Sequence, residues 1–330
     1  MRMRSYVSFL VILTALFSAL VSQAQTLEKF DTMRLENEMT FDVPLEQAEE
    51  VWSWLNATFG GGFQSHAANF RTFPEVEEFA DTYFDVPEMT LINQGIGVRH
   101  RRRFYPNGDI KELIQIKQPH EAVGKGEGNE KQTRGEVKFE PRGPTITYRH
   151  SEDFLNEELL RIVKKEHLAP LRARLSDMGV SPDRVRPFIA IEQQRRRVYF
   201  RENGNQFLTV TLDFAKTQKL WVKAKFVQLD IEIGEIAFTL ADDAKREKLL
   251  AIQGDIFGMI KSRFPDIKRN QVPKVVQMVN VVRNQGMWSY LTVRYGWSLP
   301  LALSLATLCG VLLFRRRSSN ANLQDARDVA

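Results

Sequence analysis

The chain of 330 residues has only one cysteine, Cys309. No disulfide can therefore form within the chain, and any folded part is held together by its core alone. Histidines are also few, five in all, and their spacing is unlike that of metal ligands. Internal repeats and low-complexity linkers are missing as well. These absences exclude a disulfide scaffold, a histidine-rich metal site and a repeat array.

The N-terminus has the layout of a secretory leader. A short positively charged start is followed by an apolar run over 6–21. Small residues at Ser22 and Ala24 fit cleavage before Gln25. We therefore expect residues 1–24 to be a signal peptide rather than a buried N-terminal helix.

A second apolar run, Trp297–Phe314, lies near the C-terminus. With the residues from about 291 onward it reaches the roughly 20 residues that a helix needs to cross a bilayer. The basic Arg315–Arg317 directly after it favours a cytoplasmic end. We expect a transmembrane helix over 291–314 and a short polar tail over 315–330. The protein would then be a single-pass protein of the cell membrane, with an extracytoplasmic domain at 25–285; an anchor trimmed by a sorting enzyme is the alternative.

Alternation of charged and apolar residues predicts antiparallel strands in the middle of the chain. In 34–41 the charged residues share one parity and the apolar residues the other, and 227–233 repeats this pattern. Arg99, Arg101 and Arg103 share one face of another strand. Further strands are expected over 113–117, 133–140 and 208–214.

Helical periodicity fills the gaps between these strands. Apolar spacing predicts a helix over 45–58 that Gly60–Gly62 ends. Another helix is expected from Ser151 to about 178, with a kink or break at Pro170. Further helices are expected over 239–264 and 271–283.

The charged strand faces carry both signs. The net charge is only +5, although basic residues cluster at 99–103 and 195–197. In a sandwich, such faces lie in solvent. In a closed barrel they line a wet interior while the apolar faces pack outward against helices, at a cost unless the charges pair or bind ions. Alternation alone leaves both arrangements open within an α+β fold.

Several segments follow one another in an order similar to that of the CYTH, or triphosphate tunnel metalloenzyme, superfamily. Glu36-Asn37-Glu38 resembles its Glu-x-Glu-x-Lys motif, and Asp81–Pro87 resembles its Asp-Thr-Tyr-Tyr-Asp-Thr-Pro segment. The other matching segments are Gly95–Arg101 with Gly-x-x-Leu-Arg-x-Arg, Leu113–Pro119 with Leu-x-Leu-Lys-x-Pro, Arg134–Glu136 with Arg-x-Glu, and acidic strands at Leu212-Asp213 and Asp230–Glu232. The polyphosphate-polymerase (VTC) branch of the superfamily shares this layout.

The resemblance implies an eight-stranded antiparallel β-tunnel with helices packed outside. It also implies that inward cations bind a triphosphate or polyphosphate and that inward carboxylates hold Mg or Mn. Forked arginine donors suit closely spaced phosphates, and hard divalent cations prefer carboxylate and phosphate oxygens. The implied phosphate-binding residues are Arg99, Arg101, Lys117, Arg134, Arg195 and Arg197. The implied metal ligands are Glu36, Glu38, Asp230 and Glu232, with Glu36 and Glu38 catalytic and with Glu136 and Asp213 in supporting roles.

Some positions depart from the superfamily pattern. Thr40 stands where the motif has lysine, and Gln228 stands where an acid is expected. These departures favour a different substrate, a binder without turnover, or a divergent polymerase-like branch. Lys138 is expected in solvent, and His100 is expected to face away from the tunnel.

We expect an exported, membrane-anchored, metal-dependent phosphohydrolase of triphosphate or polyphosphate. A VTC-like polyphosphate polymerase is one alternative, although export argues against it because ATP is scarce outside the cytoplasm. A non-catalytic tunnel that binds polyphosphate or another polyanion is a second alternative. Nucleic acid is disfavoured as a partner, because the interleaved carboxylates repel its phosphates.

Overall fold

The computed structural model describes residues 34–65, 68–123, 131–142, 158–270, 272–296, 298, 304–307, 309 and 311. Within them the chain forms ten strands, and all pairings between strands are antiparallel. The strands are β1 (Arg34–Val43), β2 (Phe63–Ser65), β3 (Ala68–Asp85), β4 (Gly97–Phe104), β5 (Ile110–Val123), β6 (Lys131–Phe139), β7 (Arg186–Glu202), β8 (Asn205–Lys219), β9 (Val222–Ile233) and β10 (Lys268–Arg269).

Helices connect these strands and follow the last of them. They are α1 (Ala48–Phe59), α2 (Thr90–Asn93), α3 (Leu159–Ile162), α4 (Lys165–Asp177), α5 (Glu235–Thr239), α6 (Asp243–Arg263), α7 (Lys274–Asn284) and α8 (Met287–Tyr295). Short 3₁₀ turns occupy Leu45–Gln47 and Pro182–Arg184.

Eight of the described strands form a ring. Their order is β1-β6-β5-β4-β3-β7-β8-β9, and β9 pairs back with β1. This last pairing aligns Glu38 with Glu232 and Val43 with Val227. β2 pairs with β3 and β10 pairs with β1, so the described sheet has ten strands where eight were expected. The predicted antiparallel sheet with helices is confirmed, and we call the space inside the ring the lumen.

Apolar side chains on the outer face of the ring hold the helices. One cluster joins β8 and β9 to α1 and α6 and includes the fully buried Phe59, Leu229 and Ile256. A second cluster packs α3 and α4 on β4 to β6, and a third packs α7 and α8 on β7 and β9. Full burial of one such apolar side chain stabilises the fold by about 1.5–3 kcal/mol. Because the apolar faces are used outside, the alternate residues face the lumen, and the sandwich alternative is excluded.

One helix boundary agrees with the sequence and two do not. α1 ends at Phe59 with Gly60 as its C-cap, as expected. The helix expected from 239 begins instead at Asp243, where the Asp242 carboxylate accepts from the Lys245 N–H, because Thr239 ends the separate helix α5. Of the kink or break expected at Pro170, the break is wrong, because Pro170 lies inside α4. The interruption falls instead at Val163, whose extended backbone forms a β-bridge with Pro141. Backbone pairing with the segment after β6 therefore decides where this helix stops.

The predicted terminal segments are described only in small part. Residues 1–24 and 315–330 lie outside the described residues, as do 11 of the 24 residues of 291–314. In the part of the chain that the structure describes, no helix has both the length and the apolar character needed to cross a membrane.

Candidate functional site

A cavity of about 220 Å³ lies in the lumen. Glu36 and Arg134 are register partners on β1 and β6, but their side chains lie outside what the structure describes. Asp213 is fully buried in the wall. The other residues predicted to bind phosphate, hold metal or support the site all line the cavity: Glu38, Arg99, Arg101, Lys117, Glu136, Arg195, Arg197, Asp230 and Glu232.

Strand alternation brings these residues together. On β9, Asp230 and Glu232 line the cavity, whereas Leu229 and Ile231 are buried in the outer core. The β1–β9 register places Thr40 opposite Asp230, and Thr40 also lines the cavity. The predicted parity of these strands therefore carries the charged residues inward.

Asp81 is the centre of a buried charge cluster. Both of its oxygens accept from Arg101, at 2.7 Å from Nε and 2.6 Å from Nη2, and Arg99 Nη1 lies 3.1 Å from Oδ2. Gln193 donates to the same carboxylate at 2.6 Å. Burial would raise the pKa of Asp81, but the Arg101 and Arg99 charges outweigh it and lower the pKa to about 2. Two guanidinium groups thus share one carboxylate.

Glu136 holds two lysines in the same manner. Lys138 Nζ lies 2.6 Å from Oε2 and Lys117 Nζ lies 3.7 Å from Oε1 of this carboxylate, which is 1% exposed. Gln115 also donates to Glu136, and Arg99 Nε donates to Gln115 at 2.9 Å. The expectation that Lys138 lies in solvent is wrong: it lines the cavity, because it shares a strand face with Glu136.

Asp213 is bonded by Arg195 and by a lysine that the sequence did not single out. Arg195 donates from Nε at 2.6 Å and from Nη2 at 2.7 Å, and Lys274 Nζ donates to Asp213 and, at 2.8 Å, to Asp230. Burial would raise the pKa of Asp213, but Arg195 and Lys274 hold it well below its usual range. Burial would lower the pKa of Arg195, but the Asp213 charge raises it well above its ordinary value.

Glu77 completes a repeated pattern. It pairs with Arg103 and, at 3.5 Å, with Arg197, and it accepts from the Tyr199 hydroxyl at 3.0 Å. We call Glu77, Asp81, Glu136 and Asp213 the wall carboxylates. Each is 3% exposed or less, and each is shared by two cations. The side of the lumen formed by β6, β5, β4, β3, β7 and β8 therefore carries excess positive charge.

The opposite side, formed by β1 and β9, is acidic. Glu38 and Glu232 are directly opposed in register and both line the cavity. Among the described residues no group of three or more His, Cys, Asp or Glu could hold a metal. The pair still fits Mg²⁺, since Mg²⁺ is commonly bound by one or two carboxylates together with substrate phosphates and water.

Sequence reasoning missed Lys274 and gave Asp81 and Glu77 no role. Asp81 could have been found, because it begins the Asp81–Pro87 segment that carries the family resemblance. The same segment contains Asp85, whose carboxylate accepts from the backbone N–H groups of Leu91 and Ile92 and so fixes α2. Lys274 had no signal, since it lies in a helix far along the chain. The prediction for His100 is confirmed: it is absent from the cavity lining and lies 3.4 Å from Glu112.

Stability is expected to fall in acid because of Asp81. Its pKa is lowered from 3.8 to about 2 in the folded protein. A carboxyl group whose pKa is lower in the folded than in the unfolded protein contributes its full stabilisation above the unfolded pKa. This stabilisation is lost as the pH falls through the folded pKa. The shift corresponds to about 2 kcal/mol. Urea titrations at several pH values should show the free energy of unfolding falling between about pH 4 and pH 2. Asp81→Asn should reduce this slope, and an unchanged slope would contradict the assignment to Asp81.

Comparisons with known proteins find structural similarity at low sequence identity. No protein-family model matches the chain, and no curated protein matches it. Its structure is similar to that of PH1819 from Pyrococcus horikoshii OT3, at 13% identity over 74% of this chain and 98% of that chain, with a TM-score of 0.38. It is also similar to HpAC1 from Hippeastrum, described with a dominant triphosphatase activity, at 11% identity over 76% and 97% of the two chains and a TM-score of 0.39.

A third similar structure is the Pct1 RNA triphosphatase of S. pombe. It shares 9% identity over 75% of this chain and 92% of that chain, with a TM-score of 0.36. HpAC1 and Pct1 are thus both described as triphosphatases. At TM-scores of 0.36 to 0.39 the similarity does not by itself assign an activity to this chain.

Proposed function

We propose that this chain is a metal-dependent phosphohydrolase that binds inorganic triphosphate, or the end of a polyphosphate, in its lumen. The observation that carries the proposal is the distribution of charge around the cavity. Four wall carboxylates each hold two cations on one side, and the Glu38–Glu232 pair faces them from β1 and β9. A phosphate chain with a divalent cation has the complementary pattern.

The cationic side suits a phosphate chain because its donors are held in place. Arg101 and Arg195 each use Nε and Nη2 on a wall carboxylate, which fixes the guanidinium and leaves its other N–H groups for a ligand. Among the described residues, the buried Arg197 Nε has no hydrogen-bond partner. A buried donor without a partner costs free energy that a bound anion would recover.

The cavity also limits the size of the ligand. Its volume of about 220 Å³ is below the roughly 300–1,000 Å³ of pockets for drug-sized molecules. Lining groups are almost all polar or charged, with Val272, Pro273 and Val275 as exceptions. A short run of phosphate groups fits such a space better than a base or an apolar molecule.

Hydrolysis follows from the two sides acting together. The cations from β3 to β8 bind and orient the non-bridging phosphate oxygens, while Glu38 and Glu232 would hold Mg or Mn against the same phosphates. The bound metal would neutralise phosphate charge and orient the attacking water. A new bond forms between the water oxygen and phosphorus, the bridging P–O bond breaks, and the proton of the water passes to a lumen carboxylate or to solvent. Triphosphate thus yields orthophosphate and diphosphate.

Purified full-length protein is expected to release orthophosphate from tripolyphosphate when Mg²⁺ or Mn²⁺ is present. EDTA should stop the release, and the reaction should yield one diphosphate per orthophosphate by ³¹P NMR. Raised salt should weaken binding of the substrate, because screening reduces its attraction to the lumen. If protein that is folded by circular dichroism releases no orthophosphate with Mg²⁺ and none with Mn²⁺, the hydrolase is excluded.

Binding of a polyanion without turnover is the second candidate. Two observations favour it. The described residues contain no group of three or more His, Cys, Asp or Glu that could hold a metal ion, and Asp230, a predicted metal ligand, accepts a hydrogen bond from Lys274. Tight tripolyphosphate binding by calorimetry without phosphate release would select it.

The expected signal peptide and membrane anchor, and with them the extracytoplasmic location, remain predictions, which a topology reporter fused to either end would test.

A further inference from the structure

Exposed aromatic side chains collect at one end of the ring. The turn from β8 to β9, where Lys219 pairs with Val222, carries Trp221, which is 58% exposed. α8 adds Trp288, which is 61% exposed, and the exposed Met287. Tryptophan is highly buried on average because its apolar surface is large. Two exposed tryptophans in neighbouring elements therefore indicate an interaction surface.

Two hydrogen bonds show that the turn and α8 lie side by side. Lys219 Nζ donates to the carbonyl oxygen of Val293, near the end of α8, at 2.6 Å. Gln285 Nε2, just before α8, donates to the carbonyl oxygen of Lys223 at 2.8 Å. Trp221 lies between Lys219 and Lys223 in the sequence, so the turn follows α8 along most of its length.

α8 is apolar on its exposed side as well as on its buried side. Thr292 and Val293 are buried against the fold, whereas Met287, Trp288 and Tyr295 are exposed. The spacing of these exposed residues places them on one stripe of the helix. A surface helix of a globular protein normally carries polar residues there. We call the side chains of Trp221, Met287, Trp288 and Tyr295 the aromatic face.

The charge next to the aromatic face has one sign. Residues 216–225 include four lysines and no Asp or Glu, and residues 283–296 include two arginines and again no acid. Lys223 and Arg283 are both exposed, and the Arg283 guanidinium lies 4.8 Å from the centre of the Tyr290 ring. Exposed aromatic residues flanked by cations are typical of surfaces that lie between lipid headgroups and hydrocarbon.

The aromatic face also lies where the apolar run of the sequence begins. α8 ends at Tyr295, and Trp297–Phe314 follows after a single glycine. A Cβ added to that glycine, Gly296, would lie 3.7 Å from Lys219 Cε, so the chain leaves α8 beside the turn. The sequence predicts that this run enters a bilayer, which would place the aromatic face at its surface. A second copy of the chain suits the face less well, because like charges opposed across an interface are costly.

We propose that the aromatic face binds the headgroup region of a bilayer that contains anionic lipids. Its apolar side chains enter the boundary with the hydrocarbon, and Lys223 and Arg283 contact lipid phosphates. The ring then stands with the β8–β9 turn on the membrane and with its opposite end, where Glu202 pairs with Asn205, away from the membrane. This inference goes beyond the proposed chemistry of the lumen, and either can fail without the other.

The test is fluorescence quenching in full-length protein that is reconstituted into vesicles of phosphatidylcholine and phosphatidylglycerol. Because Cys309 is the single cysteine, a Cys309→Ser background allows one fluorescent label to be placed at Met287→Cys. Brominated phosphatidylcholine is expected to quench this label strongly. The matched position is Asn205→Cys, which is exposed at the opposite end of the ring; a label there should not be quenched.

Substitutions in the turn show whether the face itself makes the contact. Trp221→Ser should lower the quenching of the label at position 287. Leu240→Ser is the control, because it removes an apolar side chain that is 82% exposed and lies beyond the opposite end of β9; the quenching should not change. Lys223→Gln should lower the ratio of docked to undocked protein by about fivefold, the usual contribution of one cation near an anionic surface. Raised salt should act in the same direction.

The possible results are distinct. Quenching at position 287 but not at position 205, weakened by Trp221→Ser and by Lys223→Gln, supports the proposal. Quenching at neither position, or equally at both, overturns it, as does failure of the full-length protein to associate with the vesicles.

Two further results would assign the contact to something else. If quenching at position 287 is unchanged in the folded double variant of Trp221→Ser and Lys223→Gln, the apolar run alone brings the label to the lipid, and the inference is overturned. If light scattering in detergent shows a dimer that Trp221→Ser dissociates, the face binds a second copy, and the inference is again overturned.

Discussion

Glu38→Gln is expected to lower the rate of tripolyphosphate hydrolysis at saturating substrate by about 100-fold or more, the scale seen when one preorganised charge-stabilising group is removed from an active site. Glu38 lines the cavity opposite Glu232. The amide keeps the shape of the side chain but is a much poorer ligand for a hard divalent cation. Substrate binding in EDTA should change little, because the cations that bind phosphate lie on other strands.

The measurement is orthophosphate release at several Mn²⁺ concentrations. Glu38→Gln should need more Mn²⁺ for half-maximal rate, and Glu232→Gln should behave alike, because the two carboxylates are register partners. Glu78→Gln is a suitable control, since Glu78 is an exposed acid on β3. Unchanged rates and unchanged Mn²⁺ dependence in both lumen variants would show that the pair does not hold the catalytic metal.

Asp81→Ala is expected to lower the free energy of unfolding by about 3–5 kcal/mol, the range found when one partner of a buried ion pair is removed. Asp81 is fully buried and accepts from Arg99, Arg101 and Gln193. Its removal leaves two buried guanidinium groups without their common carboxylate. Urea unfolding followed by circular dichroism gives the free energy directly.

Matched variants separate this effect from a general loss of contacts. Asp183 pairs with Arg172 on the surface, where its side chain is 70% exposed, so Asp183→Ala should cost no more than about 1 kcal/mol. Adding Arg101→Met to Asp81→Ala should recover part of the lost stability, because one unpaired charge is removed as well. A larger loss in the double variant than in the sum of the single variants would contradict the unpaired-charge explanation.

Much of the lumen was predictable because alternation with a period of two indicates which residues share one face of a strand. The pattern at 227–233 identified β9 and the inward Asp230 and Glu232 before any pairing was known. Alternation could not decide between a sandwich and a ring, because both place the same residues on the same face. That choice depends on the β1–β9 pairing, which joins strands from opposite ends of the folded section.

The cation partners were harder to foresee. Lys138 was expected in solvent, yet its strand face is the lumen face and its Nζ lies 2.6 Å from Glu136 Oε2. The break in the helix before α4 also followed from a contact, the bridge of Val163 with Pro141, rather than from the proline nearby in the sequence. Local propensity was outweighed in both cases by pairing with a distant segment.

The amino-acid sequence by itself determined the strands and their inward charges, the C-terminal end of α1, and an order of motifs resembling a triphosphate-binding superfamily. These features depend on spacing and local chemistry, which a linear chain contains in full. Only the tertiary structure decided that the pairings return to β1, that each wall carboxylate is shared by two cations, and that Lys274 enters the lumen beside Thr40. Lys274 contacts residues 44 and 61 positions away, and no local pattern records which distant charges will meet once the outer apolar faces have packed.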